Sequence, residues 1–380
     1  MPLMPLPGSA PATTDLGMLQ RGRGAGWLAA ANGTTGVERL LECIANDPRW
    51  DSQVERRSDY YATLALRLAI APATIADLAL AAAEDDLLPR DVLDAMARRG
   101  SADAHVALAG LPPLLDDEDV RPVRRPPCPS LDEPLDILLR TIGPRCGTRF
   151  VQRFAATTDR RELQALQGAA LDPELLWGRR HALEVLGLRG DLVALGWAEQ
   201  ILAADTLGFE GAAALGYVIA LPSRVTLPLS RSWLAVDDRR GQAARKVLAK
   251  HAQAEDSAAI QAALPQVVDD NYAICDLVTA LGRIPEHGPY PLLDVVYTES
   301  QYSYARARAA AAIAATDPTF GPRIAPECLW DCEDPVRILG VNHAPRTAVV
   351  AERLRELADE SGEDPDVREA ARRRIAGSPV

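Results

Sequence analysis

Residues 364–375 read DPDVREAARRRI and carry a complete helix signature. The side chain of Asp364 can accept hydrogen bonds from the first backbone N–H groups of a helix, and Pro365 suits its first turn. Apolar residues follow at positions 367, 371 and 375, a four-residue spacing that places them on one helical face. The stretch therefore predicts a helix that begins after Asp364 and packs this face against another element.

The same frame recurs along the chain. It consists of an Arg, a small residue three positions later and, in most copies, an aliphatic residue four positions after that, and it is centred on Arg368, Arg337, Arg306, Arg240 and Arg179. The first two intervals are both 31 residues (368 − 337 and 337 − 306), and the next two, 66 and 61, are close to two such periods. Degenerate copies near residues 271 and 210 fill the wider gaps, and a weaker copy lies at residue 149. A period of roughly 30 to 45 residues is typical of stacked helix pairs, so the sequence predicts an all-α repeat array.

This pattern resembles HEAT repeats, in particular the short bacterial type also found in phycobilisome lyases. The resemblance is carried by Asp331 with Arg337, by Asp364 with Arg368, and by the run VRxxAxxxI at 367–375. It implies a right-handed α-solenoid of HEAT-like helix pairs, with buried Asp–Arg pairs such as Asp331 with Arg337 joining neighbouring units. It also implies a concave face lined by the Arg-bearing helices. It covers residues 145–376 well and 37–110 loosely, and it says little about function because repeat scaffolds host many roles.

The domain organisation follows from composition. Residues 1–36 are predicted to be a flexible low-complexity lead, and residues 37–115 a diverged helical block. Residues 116–130 combine an acidic run with several prolines, which excludes a helix and favours a spacer, or else a peptide that folds over the groove or docks a partner. Residues 131–380 are predicted to form the repeat solenoid.

Net charge and cysteine spacing limit the functional classes. The chain has 41 Lys and Arg against 53 Asp and Glu, a net charge of −12, which disfavours broad binding to nucleic acid or anionic membranes. No stretch approaches the roughly 20 apolar residues of a membrane span, and the first residues lack the charged start of a signal peptide. The six cysteines are scattered, which favours reduced thiols and a cytoplasmic location. The abundance of Ala, and of Arg over Lys, indicates a GC-rich genome.

Two patterns could carry chemistry. Cys328 and Cys332 with nearby carboxylates and His343 could form a zinc site, but the spacing matches known ligand patterns poorly. We therefore expect buried structural cysteines, no metal and no cofactor. The second pattern is similar to the HEAT-like alkylpurine DNA glycosylases, in which aromatic rings, a carboxylate and cations grip DNA. It comprises Trp233, Asp237, Arg240, Arg245 and Lys246.

The sequence favours a non-enzymatic scaffold that binds a protein or peptide through its concave face, and no catalytic residue is predicted. The alternative is an enzyme, either of the glycosylase type or a lyase-like repeat protein. In the scaffold interpretation the framed Arg residues are structural, so function falls on exposed neighbours such as the positions after Ala243, Ala309 and Ala371. Tyr and Arg dominate binding hot spots, and the predicted partner contacts are Arg245, Arg372, Arg373, Tyr302 and Tyr304.

Overall fold

A computed structural model describes residues 9–83, 86–113 and 128–377, and this part of the chain is all-helical, without a strand. The all-α prediction is confirmed. Internal contacts divide the chain into two compact units. Unit 1 is built from residues 1–114 and 264–380, and unit 2 from residues 115–263. No helix in the described ranges combines the length and the apolar character that crossing a membrane requires.

The amino-terminal helices of unit 1 are α1 (Asp15–Gln20), α2 (Gly24–Asn32), α3 (Gly36–Ala45), α4 (Arg57–Arg67), α5 (Pro72–Ala81), α6 (Leu88–Arg98) and α7 (Ala102–Ala109). Unit 2 contains α8 (Leu135–Thr141), α9 (Gly147–Phe154), α10 (Arg160–Leu171), α11 (Leu176–Arg189), α12 (Leu195–Ala203), α13 (Gly208–Ala220), α14 (Ser223–Trp233), α15 (Arg239–His251) and α16 (Ser257–Ala263). The carboxy-terminal helices of unit 1 are α17 (Asn271–Leu281), α18 (Pro291–Glu299), α19 (Ser303–Thr316), α20 (Phe320–Arg323), α21 (Ala325–Cys328), α22 (Asp334–His343), α23 (Ala348–Asp359) and α24 (Pro365–Ile375).

Helix α24 begins where the sequence predicts it. The Asp364 side chain accepts from the backbone N–H of Asp366 at 2.8 Å, and α24 starts at Pro365. Asp238 caps α15 and Asp270 caps α17 in the same way. Because each aspartate satisfies a donor that the helix itself leaves unpaired, these caps fix where the helices start.

The small residue of each frame is buried where two helices meet. Ala182, Ala243, Ala309 and Ala371 are all fully buried. In α22 the slot is Gly340, where an added Cβ would lie 2.8 Å from the backbone nitrogen of Leu329. The small residue of the frame therefore allows two helices to pack closely at this position.

Two of the framed arginines, Arg306 and Arg337, form ion pairs one repeat further along the chain than predicted. Arg306 makes a two-pronged bond to the carboxylate of Asp331 at 2.8 and 3.3 Å, and both side chains are fully buried. Arg337 bonds to the backbone carbonyl of Asp331 and not to its carboxylate, and it pairs with Asp334 and, at 2.7 Å, with Glu363. The predicted pairing of Arg337 with the Asp331 carboxylate is wrong, because the side chains of Arg306 and Arg337 reach forward to the loop before the next repeat helix.

The first residues of the chain, expected to be a flexible lead, contain helices α1 and α2 that pack on the carboxy-terminal helices of unit 1. An added Cβ on Gly24 would lie 1.8 Å from the carbonyl oxygen of Glu327, so only glycine permits this contact. Trp27 lies 6.3 Å from Trp330 between ring centroids, and Arg353 lies over both rings. Contacts thus group residues 264–380 with the amino-terminal residues, although the sequence predicted one continuous array over 131–380. Most of the predicted 116–130 linker lies outside the described residues.

A buried ion pair joins the two halves of unit 1. Arg57 bonds to Glu55 at 2.7 Å and to the backbone carbonyls of Gln20 and Gln301, which lie in different halves of the sequence. Glu55 also accepts from the backbone N–H of Ser303 at 2.8 Å. Burial opposes ionisation of Glu55, but the charge of Arg57 and the N–H donors outweigh it, so its pKa lies below the usual value.

One pair of cysteines in unit 2 is oxidised. Cys128 and Cys146 form a disulfide across 18 residues, while Cys43, Cys275, Cys328 and Cys332 carry thiols. The expectation that the cysteines are reduced is therefore wrong for this pair. Sequence spacing could not show it, because the proximity of the two sulfur atoms depends on how the chain before α8 folds back.

Reducing this disulfide should lower the free energy of unfolding of unit 2 by about 3 kcal/mol, because the open chain regains the entropy of an 18-residue loop. Urea denaturation with and without a thiol reductant measures the difference. In the Cys128→Ser variant the reductant should have no effect. Equal stability of the wild type in both conditions would contradict a structural role for the bond.

Candidate functional site

A groove on unit 2 encloses about 580 Å³. One wall is α11, which presents Arg180, Glu184 and Leu188, all exposed at four-residue spacing. The floor is α13, which presents Ala212 and Gly216 to solvent. The trough exists because the shortest side chains of α13 lie beside long side chains of α11.

Gly216 has no packing role of its own. A Cβ added there would meet nothing within 4 Å, although glycine inside a helix is about 1 kcal/mol less favourable than alanine. The neighbouring residue Tyr217 is buried at the edge of the groove, and its hydroxyl donates to the carbonyl of Asp191 at 2.6 Å. Burial raises the pKa of Tyr217 to about 12, so this residue is a neutral part of the core. The space above Gly216 is therefore open groove volume, and close helix packing does not require glycine at this position.

The two ends of the groove carry positive charge. At one end the Arg180 guanidinium lies over the rings of Trp177 and Phe209, 5.6 and 5.9 Å from their centroids. At the other end, beyond Leu188, lie Lys250 and His251 at the end of α15. Eight helical residues, about 12 Å at 1.5 Å per residue, separate Arg180 from Leu188. Between these cations the lining is mostly apolar but includes the carboxylate of Glu184, and a cation at either end suits a peptide with aliphatic side chains flanked by carboxylates.

Two of the predicted contact residues belong to an aromatic cluster in unit 1. Tyr302 lies 4.8 Å from Trp50, 6.0 Å from Tyr272 and 5.5 Å from Tyr304 between ring centroids. Tyr302 is buried and works as the centre of the cluster, whereas Tyr304 is 37% exposed and Tyr272 is 55% exposed. Only Tyr304 of the predicted pair is therefore open to a partner.

The other predicted contacts are distributed over both units. Arg372 and Arg373 are exposed on α24, where Arg372 donates to the carbonyl of Ala358 at 2.9 Å. Arg245 is half-buried on α15 and does not line the groove. Ala244 and Ala310 were expected to be exposed and are fully buried, which makes that inference wrong. Both helices are covered by neighbours over a wide part of their surface. The residue that follows the buried alanine, about 100° further round the helix, is therefore still buried.

The glycosylase-like residues do not form an exposed aromatic site. Trp233 is 8% exposed, which leaves no ring face for stacking on a base. Asp237 is exposed, Arg240 is paired with Asp238 at 2.8 Å, and Lys246 is half-buried. The buried Trp233 therefore removes the feature on which the resemblance to glycosylases depends.

The cysteines of the zinc pattern lie in the core of unit 1. The Cys328 sulfur lies 3.8 Å from the Tyr297 hydroxyl, and the Cys332 sulfur lies 3.3 Å from a guanidinium nitrogen of Arg306. Burial raises the pKa of both thiols, which favours the protonated form over the thiolate that binds zinc. The described residues contain no group of three or more His, Cys, Asp or Glu suited to a metal ion. The absence of zinc from the purified protein stays a prediction.

Sequence reasoning missed the residues of the groove, namely Arg180, Glu184, Gly216, Lys250 and His251. The apolar run from 211 to 221 is typical of a buried helix and gives no direct sign of a groove. A usable signal was present in it, because Ala212, Gly216 and Ala220 recur every four residues and so form a stripe of small residues on one face.

Comparison of the chain with protein-family models, curated proteins and solved structures found no match.

Proposed function

We propose that this protein is a non-enzymatic helical-repeat scaffold that binds a peptide segment of a protein partner in the groove of unit 2. The observation that carries the proposal is the floor of Ala212 and Gly216, open to solvent beside Arg180, Glu184 and Leu188. Such a trough accepts side chains from another chain without rearrangement. Its charged ends favour a partner segment with aliphatic residues between acidic ones.

We also propose that the helix pairs belong to a right-handed solenoid of the HEAT-like type. Five frames, two of whose intervals are 31 residues, support this assignment. So do the successive contacts of α10 with α11, α11 with α13, and α13 with α15. In a solenoid of this type the equivalent helices of consecutive repeats form one continuous surface, which is where the groove lies.

The cellular compartment is part of the proposal. The spacing of the cysteines favoured the cytoplasm, but disulfides persist mainly in oxidising compartments, and Cys128–Cys146 favours one of these. Counting thiols after acid quenching and denaturation of protein from its native cell decides between them. Four free thiols per chain correspond to the disulfide-bonded form, whereas all six cysteines are free in a reduced protein.

The groove is tested by filling it. In a Gly216→Leu variant the new side chain occupies the trough, so peptides selected on the wild type from a displayed random library should bind at least tenfold more weakly. Fluorescence anisotropy with labelled peptides measures the change. Stability should rise by up to about 1 kcal/mol, because leucine has the higher helix propensity.

Gly168 provides a matched control. It lies inside α10 of the same unit, is also exposed, and would also place an added Cβ in open space, but it does not line the groove. Gly168→Leu should therefore preserve peptide binding. Peptides that bind both variants like the wild type, or a library that yields no binder, would refute the proposed function.

A further inference from the structure

A second pocket, in unit 1, has a lining whose charge has one sign only. It encloses about 390 Å³ between the loop after α22, the helix α23 and the end of α24. Three arginines line it, Arg346, Arg355 and Arg374, and no carboxylate does. In a chain with a net charge of −12, three cations without a lining acid form a local exception.

Arginines beside the pocket form ion pairs, whereas two of those that line it do not. Arg353 is paired with Glu356 at 2.9 Å, and Arg373 with Glu369 at 3.7 Å. Arg346 and Arg355 are exposed and make no hydrogen bond or ion pair with any residue in the described ranges. Their guanidinium groups are therefore available to an anion from outside.

Arg374 is held in place by the fold. Its terminal nitrogens donate to the carbonyl of Asn342 and, at 2.6 Å, to the carbonyl of Ala344, where α22 ends. Its Nε is buried and makes no hydrogen bond. A fixed guanidinium costs little ordering entropy when it binds an anion, and it gives the pocket a rigid cationic side.

Apart from Thr347, the rest of the lining is aliphatic. Ala351 and Leu354 of α23 and Ile375 of α24 contribute apolar surface, and the Ile375 side chain is 48% exposed. A small inorganic anion would leave this surface in water. An anion that carries an aliphatic group would cover it and gain the free energy of apolar burial. The volume lies within the roughly 300–1,000 Å³ that is usual for ligand pockets.

We propose that this pocket binds the carboxyl terminus of a polypeptide that ends in an aliphatic residue. A terminal residue carries its carboxylate and its side chain on the same carbon atom, so one residue satisfies the arginines and the aliphatic wall together. Arginine binds carboxylates through two parallel hydrogen bonds, which suits this terminal group. The site is separate from the groove of unit 2 and does not depend on the function proposed for it.

The test uses the full chain and a six-residue peptide that ends in leucine, labelled at its amino terminus and followed by fluorescence anisotropy. The free acid should bind at least tenfold more tightly than the same peptide with a carboxyl-terminal amide. It should also bind at least tenfold more tightly than an amidated peptide with an internal aspartate. Acetate and phosphate at equal concentration should not displace it.

Arg355→Glu should weaken binding of the free acid at least tenfold. Arg308→Glu, the same charge change at an exposed arginine of α19 outside the pocket, should leave it unchanged. The groove variant Gly216→Leu should also bind the free acid like the wild type, so the two proposals can fail separately. No detectable binding, equal binding of acid and amide, or full binding by Arg355→Glu would overturn the assignment.

Discussion

Replacing Arg306 by methionine should lower the free energy of unfolding of unit 1 by about 3–5 kcal/mol, because it leaves the Asp331 carboxylate buried without its cation. Arg306 and Asp331 are both fully buried and joined by two hydrogen bonds. Methionine keeps most of the side-chain length, so the loss reports on the charge. Urea denaturation gives the magnitude, and hydrogen–deuterium exchange shows whether α19 and α22 lose protection.

Two controls separate this effect from a loss of packing. The double variant Arg306→Met, Asp331→Leu should recover part of the stability, since no isolated charge remains. Arg373→Met breaks an ion pair whose side chains are 65% and 59% exposed, and should cost less than about 1 kcal/mol. An Arg306→Met variant within 1 kcal/mol of the wild type would show that the buried pair does not stabilise the fold.

Replacing Arg57 by methionine should cost about 3–5 kcal/mol for the same reason, since Glu55 is left buried without its cation. The expected pattern of protection is different. Arg57 bonds to the carbonyls of Gln20 and Gln301, and Glu55 to the backbone N–H of Ser303, so the pair joins segments more than 240 residues apart. Hydrogen–deuterium exchange should therefore show α1 and α19 losing protection together.

The helices of unit 2 serve as the internal reference for this experiment. If Arg57→Met exposes α1 alone while α19 keeps its protection, the ion pair does not couple the two halves. If the free energy of unfolding is unchanged, the backbone N–H groups that donate to Glu55 stabilise its buried charge without Arg57.

Both predictions follow from the way unit 1 buries its charges. Arg57, Arg306 and Arg337 lie in the core, each with a carboxylate partner, and Arg21 lies there with only backbone carbonyls. Burial lowers the pKa of Arg21 to about 10, well above neutral pH, so it too stays charged. An ion pair in the interior is stable only in one arrangement, and these pairs therefore specify which helices meet.

The sequence by itself determined the local structure. The repeated frame predicted helices, Asp364 predicted the start of α24, and the small residue at the fourth position predicted buried contacts. These properties depend on groups within a few positions of one another, such as the Asp364 carboxylate and the N–H of Asp366. The period of 31 residues then predicted that such helices recur, and the described helices follow it.

The tertiary structure alone decided which distant groups meet. The partner of Arg337 is Glu363 because a long side chain can reach the next loop as easily as its own. Residues 9–32 are not a flexible lead because Gly24 and Trp27 find partners about 300 positions away, at Glu327 and Trp330. The groove over Gly216 exists because α11 lies beside α13, and the arginine pocket because the end of α24 lies beside α23. The spacing of residues along the chain determines which side chains share one face of a helix. These sites depend on contacts between different helices, and those contacts form only when the chain packs into its tertiary structure.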